Sequence, residues 1–146
     1  MKRGVTLVEL LIAISIMILL AATAVPIYGN LQNLSQKEEA TYSLLQSLRL
    51  ARQDSLSGVN NYQHGVKFFS DHYIVFQGDA FTTRTAALDR NIKLSPSLSL
   101  TNDFLNNEIV FSRGGLPNSL GTLTISEVNG QSRVITVNKF GIAKIE

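Results

Sequence analysis

The chain predicts an α+β fold, in which a long N-terminal helix, transmembrane and then amphipathic, packs on a C-terminal antiparallel β-sheet domain. Three observations carry this expectation. An almost unbroken apolar run spans Val5 to Ile27. Beyond it, apolar residues recur at helical spacing as far as Ala51. From Asn60 onward, short runs rich in β-branched and aromatic residues alternate with turn residues. At 146 residues, the chain has room for one ordinary domain besides the apolar run.

The apolar run comes first. As a helix it would extend about 34 Å, enough to cross the hydrocarbon core of a bilayer. Lys2 and Arg3 precede it, so the positive-inside bias places Met1 in the cytoplasm and the remainder outside. Three readings fit this layout. The run is a plain single-span anchor, or a cleaved secretory signal peptide ending at Ala22-Thr23-Ala24. In the third reading, a short basic leader is cut off ahead of the run, which is kept. Glu9 bears on the choice, because a carboxylate within a spanning helix costs about 2.5–3.5 kcal/mol at the centre and less near the interface. An anchor or a signal peptide gains nothing from that cost. The leader Met1 to Gly4 is also short for the basic region of a secretory signal.

Past Pro26, which would bend the helix axis, the pattern resumes. Ile27, Leu31, Leu34, Leu44, Leu45, Leu48 and Ala51 form an apolar stripe against Gln36, Lys37, Glu38, Gln46, Arg49 and Arg52. Ser55-Leu56-Ser57-Gly58 is the stop signal, with Gly58 suited to a left-handed cap. The stripe is expected to pack on the chain's own C-terminal domain.

The β-type runs follow. Gly65 to Phe69 and Tyr73 to Phe76 flank Ser70-Asp71-His72 as a hairpin. Ile92 to Leu94, Glu108 to Phe111, Thr122 to Ile125 and Arg133 to Val137 alternate as half-buried strands, with Asn129-Gly130 as a tight turn between the last two. Phe140 to Ile145 closes the sheet. Gln77 to Arg90 and Ser95 to Asn107 read as loops. No helix separates successive strands, so the sheet is expected to be antiparallel.

Two stretches carry a family resemblance. Gly4, followed by Val5-Thr6-Leu7-Val8-Glu9-Leu10-Leu11, resembles the prepilin peptidase site of type IV pilins and type II secretion pseudopilins. That resemblance implies cleavage after Gly4, methylation of the new amine at Val5, and Glu9 as the fifth mature residue. Pro26 falls where the family has a proline, whereas Val5 departs from the common phenylalanine. Val110 to Pro117, Gly121 to Ile125 and Arg133 to Gly141 are similar to the C-terminal domain of the minor pseudopilin H and FimT-type minor pilin group. This implies a β-sandwich-like domain behind a leader (1–4) and a stalk helix (5–58, transmembrane over 5–27), with 59–146 periplasmic. It also implies a bacterial inner-membrane subunit of a pilus or pseudopilus, standing at the tip. Its partners would be other pilins, the prepilin peptidase and membrane lipid.

Glu9 then acquires a role. Cleavage would leave a cationic amine at Val5, and the carboxylate of a neighbouring subunit would neutralise it among packed apolar helices. At ~4 Å and an effective dielectric near 20 such a pair is worth about 4 kcal/mol before desolvation, and it fixes the stagger between helices. The rival reading of Glu9 is a tolerated interfacial carboxylate with no partner.

Other chemistry is sparse. Cysteine is absent, which removes thiolate nucleophiles and cysteine metal clusters. His64 and His72 share the first hairpin with Asp71, a set too small for zinc, and both read as solvent-facing or turn residues. Ser112-Arg113-Gly114-Gly115 has no helix behind it, so its glycines serve a turn rather than a phosphate. No enzyme site, cofactor or small-molecule substrate is expected. DNA binding in uptake is the alternative that the FimT resemblance allows. Against it, a net charge of +2 with Arg84, Arg90, Lys93, Arg113, Arg133, Lys139 and Lys144 spread singly gives no basic cluster.

Overall fold

The computed structural model describes residues 4–127 and 130–146, and for 23–31 the backbone alone. The chain divides into two compact units, Met1–Ser35 and Gln36–Glu146. A helix, α1 (Leu7–Leu56), begins in the first and ends in the second.

In the first unit the large apolar side chains from Val5 to Leu20 all face outward, from 47% exposed at Ile14 to 77% at Val5. So much contiguous apolar surface marks a region that other molecules or lipid cover. Among the described residues, no helix is long and apolar enough to cross a membrane. The run behind that expectation extends to Ile27, and the side chains of 23–27 lie outside the described residues. So do Lys2 and Arg3, and the side chains of Thr23, Ala24, Pro26, Ile27 and Leu31.

In the second unit the expected stripe is buried. Leu44, Leu45, Leu48 and Ala51 are at most 5% exposed and join one core with both sheets. Lys37 departs from its expected place on the polar face, since it is buried under the β6–β7 hairpin described below. The helix stops as its sequence implies, with Gly58 in the left-handed region at φ 64°. Asn60 and Asn61 are also left-handed, a conformation their short side chains tolerate.

Eight strands follow among the described residues: β1 (His64–Phe68), β2 (His72–Gln77), β3 (Arg90–Lys93), β4 (Leu98–Asn102), β5 (Glu108–Phe111), β6 (Gly121–Glu127), β7 (Ser132–Val137) and β8 (Ala143–Ile145). They form two four-stranded antiparallel sheets, ordered β3-β2-β1-β5 and β4-β6-β7-β8. Val66, Phe68, Tyr73 and Ile109 from the first sheet meet Leu100, Leu123, Ile125 and Ile135 from the second, with Leu44 and Leu48 of α1 in the same core. Tyr73 carries a hydroxyl into this core and brings it to Ser43 at 3.0 Å, which ties the helix to the first sheet.

One expected loop is a strand. β4 lies within Ser95 to Asn107 and pairs with β6, Leu100 opposite Ile125. Its sequence alternates, with Leu98 and Leu100 buried and Ser99 and Thr101 exposed. Serine has little strand propensity of its own, so tertiary pairing decides the segment. Gln77 to Arg90 does form a connection, with two short 3-10 turns. Its Phe81 ring meets Phe76 edge-on at 5.5 Å, and the Arg84 guanidinium stacks 3.6 Å from the Phe81 centroid. The far face of the first sheet is thereby covered as well.

Candidate functional site: the first turn of the N-terminal helix

The chain enters α1 through Thr6. As the residue before Leu7, Thr6 occupies the N-cap, and Glu9 stands at the third helical position. The Thr6 backbone N–H and the Thr6 hydroxyl each donate to Glu9 Oε2 at 2.9 Å. The Glu9 N–H donates in return to Thr6 Oγ1 at 3.3 Å. This reciprocal arrangement is a capping box, which satisfies two of the helix's orphan donors and sets a negative charge against the positive end of its dipole.

Within a single chain the Glu9 carboxylate is thus held as a helix cap by two neutral donors of Thr6. The signal was present as Thr6-Leu7-Val8-Glu9, a threonine three residues ahead of a glutamate before an apolar run. Sequence reasoning took Glu9 alone and missed the residue that holds it. Among the described residues Glu9 Oε1 accepts no hydrogen bond, leaving an acceptor free beside the cap. Gly4 and Val5 precede the helix in exposed, non-helical backbone, and a side chain on Gly4 would meet nothing within 4 Å. The Gly4–Val5 peptide bond is thus open to an enzyme and lies next to the capped carboxylate in sequence.

The other singled-out residues do not converge. His64 pairs with Gln77 at one end of the first hairpin and His72 lies at the other, so the histidines do not approach each other. His64 is also not solvent-facing, because strand β1 carries it under the end of α1, where Ser55 Oγ accepts its backbone N–H at 2.9 Å. Burial pushes its imidazole below the ordinary value, and Asp54 pulls weakly the other way. His72 Nδ1 lies 2.7 Å from Asp71 Oδ1, a contact that lowers the exposed carboxyl. No group of three metal-ligating side chains exists among the described residues. In Ser112-Arg113-Gly114-Gly115 only Gly115 has a positive φ, 71°, and its N–H closes the turn on Ser112 O.

Family models agree along the chain: a prokaryotic N-terminal methylation motif matches residues 1–25, and type II transport protein GspH matches residues 40–141. The latter spans more than half of the sequence, and the chain belongs to the GspH family. A search of curated proteins by sequence finds no match. Solved structures share the fold at low identity. The type IV minor pilin FimU of Pseudomonas aeruginosa is 17% identical, with a TM-score of 0.62 over 78% of this chain and 90% of that one. The minor pseudopilin EpsH of the Vibrio cholerae type II secretion system is 14% identical, with a TM-score of 0.61 over 76% and 96%. Members of the family are structural subunits rather than enzymes. The methylation motif marks a pilin-type protein anchored in the inner membrane and processed by a prepilin peptidase.

Proposed function

We propose that this chain is a minor subunit that assembles through its N-terminal helix into a type II secretion pseudopilus or a type IV pilus, at the tip. Residues 1–4 are the leader, 5–58 the stalk helix with 5–27 in the membrane, and 59–146 the periplasmic domain. The peptidase cuts after Gly4, Val5 is methylated, and Glu9 neutralises the Val5 amine of a neighbouring subunit.

The capping box is the observation that carries this reading. Thr6 holds Glu9 Oε2 from two donors, which fixes the carboxylate at the helix entrance. Both donors lie after the cut, so the geometry survives processing. Oε1 remains available, and a charge presented in a dry interface from a fixed position can set the stagger between helices that apolar contacts leave loose.

Mass spectrometry of the mature N-terminus tests the processing step. The expected first residue is Val5 carrying one added methyl group. A first residue of Val25 would identify a secretory signal peptide and overturn the reading.

A further inference from the structure

Arg49, Arg52 and Leu56 lie on one face of the last turns of α1, three and four residues apart. Facing them is the turn into β8, with Gly141 and Ile142, and between the two walls runs a cleft of about 480 Å³. No carboxylate lines it. Leu56 and Ile142 are about half exposed, and Phe140 and Leu116 on the adjoining turns are more so, giving the cleft an apolar rim.

Arg52 builds the wall. Its Nε donates to Gly115 O at 3.1 Å and to Phe140 O at 3.2 Å, pinning two turns to the end of the helix. Gly141 adopts φ 72°, and a side chain there would strike Gly115 O and crowd Arg52. Arg49 has no hydrogen bond or ion pair among the described residues. Elsewhere in this unit Arg84, Arg133, Lys37 and Lys67 pair with Asp89, Glu38, Glu127 and Glu108, whereas Arg90, Lys93, Arg113, Lys139 and Lys144 form no ion pair among the described residues. What distinguishes this cleft is that it sets two guanidinium groups without carboxylates beside exposed leucine, isoleucine and phenylalanine.

We propose that this cleft docks a second pilin-type subunit of a different sequence, through a segment presenting an aspartate or glutamate beside an apolar side chain. The proposal rests on the assembly reading above. A guanidinium takes a carboxylate in a paired geometry, and arginine next to apolar anchors is the composition of an interface centre. A second copy of this chain in a two-fold contact would bring the same cations together. Nucleic acid would call for a longer track of cations and gains little from aliphatic walls.

The test uses the full-length protein in its own host, with a photo-activated cross-linking residue in place of Ile142. The expected product is an adduct with another pilin-type subunit, mapped by peptide mass spectrometry to a segment with an acidic residue beside an apolar one. Arg49→Glu should cut the adduct yield by about tenfold or more, whereas Arg49→Lys, which keeps the charge but not the paired geometry, should fall between that variant and the unchanged protein. Because Arg49 holds nothing within the chain, both variants should reach the membrane at the normal level. A second cross-linker at Leu10 reports on the helix. Pilin adducts at Leu10 with none at Ile142 would overturn the cleft and leave helix-led assembly standing, and none at either position would overturn both. An Ile142 adduct indifferent to Arg49→Glu, or duplex DNA binding by the full chain that Arg49→Glu abolishes, would also overturn the proposal.

Discussion

At the scale of residues, Thr6 and Glu9 act as one unit, so changing either should disturb the other. Thr6→Val keeps the side-chain shape but removes the hydroxyl that gives to Glu9 Oε2 and accepts from the Glu9 N–H. Loss of such a cap costs about 1 kcal/mol. Amide hydrogen exchange at Leu7 to Leu10, measured in detergent, should therefore quicken; unchanged exchange would contradict the box. His64 gives a second prediction. Burial lowers its folded value below the ordinary histidine pKa of about 6.5. The unfolded chain then takes up a proton more readily, so stability is full above that pH and is lost as pH falls through it towards the folded value. The melting temperature should drop between about pH 7.5 and pH 5.5, and His64→Asn should flatten that slope. An equal slope in the variant would exclude His64 as its source. The box was legible in four letters of sequence. The burial of His64 was not, because Gln63-His64-Gly65 shows no alternation and the end of α1 that covers it is remote in the chain.

Among elements, the junction of α1 with the β6–β7 hairpin is built from charge. Lys37 directs a hydrogen bond at Gln131 Oε1, 2.9 Å away, and holds Glu127 as an ion pair at 3.0 Å. Its neighbour Glu38 takes Arg133 from β7 at 2.6 Å. Lys37 and Glu127 are both nearly sealed from solvent, so removing one partner strands the other. Lys37→Met should destabilise the full chain by about 3–5 kcal/mol in urea unfolding, and adding Glu127→Leu should recover most of it. A double variant no better than the single would mean that the pair itself carries the junction. Gly65→Ala should cost about 1–3 kcal/mol in the same assay, because the new methyl would lie 2.6 Å from Ile109 O and 2.7 Å from Phe76 Cζ. A neutral result would show that β5 can shift away. Strands with alternating valine, isoleucine and phenylalanine were legible from sequence, as was the glycine stop of the helix. Lys37 was not, since the helical period places it outward and only the hairpin's arrival buries it. β4, which follows Ser95-Pro96-Ser97, was hidden for the related reason that its pairing with β6 makes it a strand.

For the whole molecule, the two units divide the labour. Gln36–Glu146 satisfies its own apolar surface in one core of helix and two sheets. Met1–Ser35 leaves apolar side chains from Val5 to Leu20 exposed around one fixed carboxylate. The existence of a helix and antiparallel strands followed from periodicity. Their division into two sheets, with β4 reaching across to β6, did not, because strand order depends on pairings between distant segments. In the proposed assembly Glu9 locks one subunit's helix to the next. The most direct measurement is incorporation of Glu9→Val into filaments or tip complexes, scored beside the variant's membrane level. Insertion should be normal or slightly improved, since an apolar residue replaces a charge. Cleavage after Gly4 should persist, and incorporation should fail because the Val5 amine is left unpaired among apolar helices. Normal incorporation at a normal membrane level would show that Glu9 does not set the stagger between subunits.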